Sequence, residues 1–122
     1  MTNPLALIIE DDEYLADIFS VSLQAAEFET EITGDGDTAL SRLSATNPAL
    51  VVLDLHLPKV SGDKILYQIR ADERLAKTRI MLATADSRMA DKLRSKADLV
   101  LLKPISASQL RELASRLRPL NT

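Results

Sequence analysis

Four sets of polar residues stand directly at the ends of apolar runs: Glu10-Asp11-Asp12 after residues 5–9, Asp54 after 50–53, Thr84 after 80–83, and Lys103-Pro104 after 99–102. Carboxylates from remote parts of a sequence repel one another when brought together, unless a cation joins them. Hard oxygen ligands of this kind suit Mg2+, which keeps several of its waters. Asp54 closes an apolar run, where an ionised carboxylate needs a partner or a solvent-facing strand end. Lys103 can neutralise what a metal does not, or hold a phosphate, and Thr84 offers a hydroxyl where an added phosphoryl oxygen would need a donor.

Singly, each residue has an ordinary explanation. Acids that open a helix serve as caps and favourable dipole charges. A threonine ends many strands, and a lysine before proline suits a surface turn. Pro104 restricts Lys103 to extended backbone, and X-Pro bonds are where cis peptides occur, so a tight turn would fix this lysine. The specific signal is the set: acidic pair, acid, hydroxyl and lysine, in that order, behind four apolar runs.

These side chains meet only if the runs are neighbouring strands. Residues 5–9, 50–53, 80–83 and 99–102 are short and continuously apolar, as strands covered on both faces should be. Residues 28–33 alternate, which places a fifth strand nearer an edge. Between them lie helical stripes: Leu15, Ile18, Phe19, Leu23 and Ala26; Ala39, Leu40 and Leu43; Ile65, Leu66 and Ile69. Ser106 with Gln109 forms a capping-box pattern before Leu110, Leu113 and Leu117, and Pro119 ends that helix. Residues 86–97 carry only the thin stripe Ala90, Leu93 and Ala97. Alternating strands and helices predict a doubly wound α/β domain with a parallel sheet and helices on both faces. In such a sheet the chemistry belongs beyond the carboxyl ends of the strands, where their order reverses.

Length and composition fit this. The 122 residues suit one domain, 1–122, and 46% hydrophobic with 27% charged residues describes a soluble globular protein. With no cysteine, disulfides, thiolate metal sites and cysteine nucleophiles are excluded, and a cytoplasmic location is favoured. Met1-Thr2-Asn3-Pro4 lacks a basic region, and the run after it is too short for a signal peptide or membrane span. A net charge of -3 and arginines spaced from Arg111 to Arg118 like a solvated helix face argue against direct nucleic-acid binding.

The quoted residues resemble the receiver domains of two-component response regulators, in their single-domain, chemotaxis-regulator-like form. The resemblance rests on Ile8-Ile9-Glu10-Asp11-Asp12, Leu53-Asp54-Leu55-His56-Leu57-Pro58 with Gly62 eight residues past Asp54, Ala83-Thr84-Ala85 and Leu102-Lys103-Pro104. Gly34-Asp35-Gly36 with Ala39-Leu40 is similar to the family's second loop and helix.

It implies a flavodoxin-like sheet of order 2-1-3-4-5 and a Mg2+ site of Glu10, Asp11, Asp54 and the backbone carbonyl of His56, with Glu10 acting largely through metal-bound water. Asp12 would cap the helix. Asp54 would be the phosphate acceptor, and Thr84 and Lys103 would bind the phosphoryl oxygens. A sensor histidine kinase or phosphotransfer protein would donate the group. The result would be a signalling switch rather than a turnover enzyme. A carboxylate can attack a phosphoryl group if charge is neutralised during transfer, so dependence on Mg2+ and Lys103 is also a chemical requirement. His56, the only histidine, is read as a loop residue. With Asp86, it holds a place from which family members tune phosphate loss.

Thr84 and Lys103 are 19 positions apart, closer than in most of the family, so the fourth helix or its following loop should be short. Lys96-Ala97-Asp98 replaces the usual Gly-Ala, and Val100 stands where an aromatic switch residue is expected. No output domain follows Arg118-Pro119-Leu120-Asn121-Thr122. The expected partner is therefore a separate protein target or an output domain of a longer chain, and a homodimer through the fourth helix, fifth strand and fifth helix is open.

Other functions fit less well. Phosphatases of the haloacid dehalogenase type need a second acid where His56 stands. The two glycines at 34 and 36 lack the rest of a dinucleotide fingerprint. A degenerate receiver, acting as a phosphorylation-independent interaction module, is the alternative. The altered fourth-helix region speaks for it, and the complete set of chemical residues speaks against it.

Overall fold

The apolar runs form strands because their β-branched and leucine side chains, apart from the exposed Leu102, find covering helices on their faces of the sheet. The computed structural model describes residues 3–119; the readings made on Met1-Thr2 and Leu120-Asn121-Thr122 lie outside them. The strands are β1 (Leu5–Ile9), β2 (Glu29–Thr33), β3 (Leu50–Asp54), β4 (Arg79–Thr84) and β5 (Leu99–Leu102). The α-helices between and after them are α1 (Glu13–Ala25), α2 (Gly36–Ala45), α3 (Gly62–Ala71), α4 (Ser87–Leu93) and α5 (Ala107–Leu117). The sheet is parallel with order β2-β1-β3-β4-β5, the flavodoxin-like arrangement.

Side chains alternate across the sheet and build two cores. Ala6, Ile8, Val52, Met81 and Ala83 pack against Phe19 and Leu23 of α1 and Leu110 and Ala114 of α5. Leu7, Ile9, Val51, Leu53, Ile80 and Leu82 pack against Ala39, Leu43, Ile65, Leu66, Ile69 and Leu93 on the other face. β3 is buried along its whole length, whereas β2 lies at an edge, as its alternation suggests, and exposes Glu29 and, against that alternation, Ile32.

Four helices open on the caps that their sequences supply. Asp12 accepts from the Leu15 N–H at 3.0 Å, Asp35 from Thr38 at 2.8 Å, Asp86 from Met89 at 3.0 Å and Ser106 from Gln109 at 3.1 Å. Each fixes where its chain leaves the carboxyl edge of the sheet.

The helical reading of residues 86–97 holds for its first part only. α4 stops at Leu93, a 3-10 turn follows over Arg94–Lys96, and Ala97 is extended. Asp98 explains this early ending. Its carboxylate accepts from the Ile80 N–H at 2.7 Å and from Arg70 and Arg79 at 3.0 Å each, so the chain is drawn to β4 before another helical turn can form.

Candidate functional site

Strand order reverses between β1 and β3, and their register places Ile9 opposite Leu53. Glu10 and Asp54 therefore leave adjacent strands at the same edge. Asp54 in turn pairs with Ala83, and Thr84 with Leu102, which brings Thr84 and Lys103 to that edge too. The sheet thus gathers the residues that the sequence scatters.

One carboxylate oxygen from each of Glu10, Asp11 and Asp54 lies within 4.8 Å of the others. Glu10 is 3% and Asp54 5% exposed, while Asp11 opens to solvent. Hard anionic oxygens held this close, one side facing water, are a donor set that fits Mg2+. Burial, with the Asp54 carboxylate beside it, pushes the Glu10 carboxyl up from 4.5 to about 7, although the Lys103 ammonium and the Asp12 N–H pull it back. A bound divalent cation would relieve this crowding.

Lys103 is the cation that the fold itself provides. Its Nζ donates to Glu10 Oε1 at 2.7 Å and lies 3.6 Å from Asp54 Oδ2. Burial works to lower its pKa, but the hydrogen bond to Glu10 and the neighbouring Asp54 outweigh burial and raise it. Lys103 therefore stays charged. The Lys103-Pro104 peptide is cis, and the Lys103 N–H donates to the Thr84 carbonyl at 2.8 Å, so lysine and threonine are tied through the backbone.

Thr84 is fully buried, and its Oγ1 accepts from the Asp86 N–H at 3.0 Å. Asp86 also caps α4, so one residue links the hydroxyl to that helix. Across the opening, Asp86 Oδ2 lies 3.6 Å from His56 Nε2, both side chains being partly exposed. The His56 N–H donates to Asp54 Oδ1 at 3.1 Å, which orients the carboxylate from its own loop.

Two glycines that the sequence reading gave no structural role shape this loop. A Cβ on Gly62 would come within 2.6 Å of Leu55 Cα and would collide with the Asp54 carbonyl oxygen; one on Gly36 would collide with the Val60 backbone. The Gly36 N–H donates to the Pro58 carbonyl at 3.1 Å, and the Gly62 N–H to Leu55 at 3.1 Å. Close backbone approach therefore sets the loop on both sides. The short spacing from Asp54 to Gly62 was the visible sign of one; Gly36, distant in sequence, gave none.

The comparisons with known proteins agree with this geometry. Residues 6–115 match the model of the response regulator receiver domain. The chain is 40% identical over 115 residues to the sensory transduction protein RegX3 of Mycolicibacterium smegmatis, covering 92% of this chain and 48% of that one. It is 34% identical over 110 residues to the DNA-binding dual master transcriptional regulator RpaA of Synechocystis, covering 88% and 46%. The chain thus spans about half the length of these curated relatives. The chemotaxis response regulator CheY4 of Vibrio cholerae superposes with a TM-score of 0.86 at 22% identity, over 95% of this chain and 99% of that one, a likeness of fold. Fold, acidic edge and family match converge: this chain belongs to the response regulator receiver domains, a family of two-component signalling switches.

Proposed function

We propose that Asp54 accepts a phosphoryl group from the phosphohistidine of a sensor kinase or phosphotransfer protein, in a Mg2+-dependent reaction, and that the chain switches conformation as a result. The observation that carries this reading is the convergence of Glu10, Asp11, Asp54 and Lys103 at one sheet edge, three acidic oxygens within 4.8 Å beside a charged Nζ. A bond forms between an Asp54 oxygen and phosphorus as the phosphorus–nitrogen bond of the donor breaks, and the imidazole leaves with the electron pair.

Glu10, Asp11, Asp54 and the His56 backbone carbonyl would hold the metal, with Glu10 in a supporting part. Bound Mg2+ supplies positive charge against the incoming dianion. Lys103 supplies the protein's own share. It already touches Glu10 and stands near Asp54, so it reaches a phosphoryl oxygen without leaving the site. Thr84 Oγ1 accepts a hydrogen bond from Asp86, which leaves its proton to donate to the phosphoryl group. A movement of that hydroxyl is transmitted through Asp86 to the N-terminus of α4.

A single receiver unit over residues 1–122, a cytoplasmic setting and a protein target or attached output domain belong to the same reading. The half-length match to the curated relatives supports the last of these. No helix among the described residues is long and apolar enough to cross a membrane.

The test is intact mass after incubation with acetyl phosphate, with and without Mg2+, for the wild type and Asp54→Asn. A phosphate increment that needs both Mg2+ and Asp54 is expected. Retained phosphate in the Asn variant overturns the acceptor assignment. A folded wild type that gains none under conditions where another receiver reacts assigns the chain to phosphorylation-independent binding.

A further inference from the structure

At the end of the sheet opposite the acidic edge, beneath the first residues of β3, β4 and β5, lies a groove of about 940 Å3. Its walls carry Arg70, Lys77, Arg79, Arg116 and Arg118, and its floor includes Pro48, Ala49, Leu117 and Pro119. Asp98 is the single acid among the described residues that line it.

That acid is already spent. Asp98 Oδ2 serves Arg70 and the Ile80 N–H, and Oδ1 serves Arg79. Arg70 is equally committed, its Nε to the Lys96 carbonyl and its Nη1 to the Thr78 carbonyl. The remaining cations are loosely held. Arg116 reaches Glu112 at 2.8 Å across an exposed helix face, Arg118 Nε donates to the Glu27 carbonyl at 3.3 Å and stands 3.9 Å from its carboxylate, and Arg79 gives only Nη1 to Asp98. Such pairs contribute little and exchange readily. Lys77 makes no ion pair among the described residues.

Helix dipoles account for part of this charge, because Arg70 and Arg116 stand in the last turns of α3 and α5. They do not account for Lys77 or for Arg79, which opens β4. The wider distribution sharpens the contrast. Residues 1–41 contain ten aspartates and glutamates and no lysine or arginine, so all 15 cations follow, and five of them wall this groove.

We infer that the groove binds a carboxylate-rich segment of a partner polypeptide. Carboxylates match the guanidinium forks of Arg79, Arg116 and Arg118. The apolar floor takes the methylenes of the same segment. A nucleic acid would want an aromatic platform for its bases, and none lines the groove. The inference stands apart from the phosphorylation reading and uses none of its residues.

The experiment is an amide chemical-shift titration of the full chain with a synthetic hexaglutamate peptide at low salt. Shifts are expected at Ala49, Lys77, Arg79 and Leu117. The double variant Lys77→Glu, Arg116→Glu is expected to bind about tenfold more weakly, the order of two exposed ion pairs lost. The charge-matched control Arg88→Glu, Lys92→Glu changes exposed cations of α4 and is expected to bind as wild type. Equal weakening in both double variants reduces the effect to overall charge and overturns the site. Concentration-dependent shifts at the groove without peptide hand it to a second copy of the chain. Tighter binding of oligothymidylate than of the peptide overturns the choice of ligand.

Discussion

Glu10→Gln in the metal-free protein tests the electrostatics of the acidic edge directly. Burial holds the Glu10 carboxyl at about 7, against 4.5 for the free group. The folded state therefore keeps a proton that the unfolded chain has already lost. Stability falls as pH rises from 4.5 towards 7, and above 7 the loss is complete. At 1.36 kcal/mol per unit the full effect is about 3 kcal/mol, or on the order of 10 °C in Tm for a domain of this length. The pair with Lys103 is already contained in that balance, since it lowers the Glu10 value from where burial and Asp54 would set it. Glutamine keeps an oxygen for the Lys103 Nζ but carries no charge. The variant is thus expected to match the wild type at about pH 4 and to exceed its stability by about 3 kcal/mol at about pH 8. Urea unfolding followed by circular dichroism in the presence of a chelator measures this difference, and pH effects of other groups cancel in it. Saturating Mg2+ is expected to remove the pH-dependent part. A difference that does not change with pH, or a wild type more stable than the variant at the alkaline end, refutes the reasoning.

Asp98→Ala removes three hydrogen bonds that join β5 to β4 and α3, and a loss of about 2–4 kcal/mol in thermal unfolding is expected. Burial works against the Asp98 carboxylate, but the Ile80 N–H and the two guanidiniums hold its pKa below 3.8. Its contribution is thus present above that value, is lost as pH falls through the lower folded one, and is missing from the variant's acid unfolding curve. Gly62→Ala forces a Cβ into the backbone of Asp54 and Leu55; about 1–3 kcal/mol of destabilisation is expected, with weaker Mg2+ binding by calorimetry because the loop that orients Asp54 must shift. Asp12→Ala removes the cap of α1 and should cost about 1 kcal/mol in urea unfolding, with amide exchange accelerated at Leu15. Unchanged exchange there sets the cap aside.

What was legible in the sequence was what repeats locally. Leu50 to Leu53 reads as a buried strand because every residue is apolar, and Asp12 reads as a cap because a capping side chain and its N–H lie three residues apart. The acidic edge was legible for a different reason: polar residues that end apolar runs must meet wherever the runs are parallel neighbours. Phe28 was read into the second strand and lies just before it, though buried, because an aromatic residue satisfies the core without joining the ladder. Ala97 was read into the fourth helix because its spacing from Leu93 is helical. Asp98 overrides that pattern through Arg70, 28 residues earlier, and Arg79, 19 earlier, partners that no local rule connects. The cationic groove was missed likewise, since Arg70, Lys77, Arg79 and Arg116 come from three separate stretches.

The two glycine contacts around the acceptor loop carry a consequence for how the site can vary. Gly36 bears on Val60 and Gly62 on Asp54 and Leu55 through backbone atoms, and the peptide groups of Pro58 and Leu55 are held by N–H donors. Main chain therefore fixes the position of the Asp54 carboxylate, and His56, Pro58 and Lys59 are exposed to solvent. His56 can therefore exchange for another residue without moving the acceptor, whereas Lys59, at a φ of 72°, suits only residues that tolerate left-handed backbone. The loop separates what must stay constant for the chemistry from what is free to set its pace and its company.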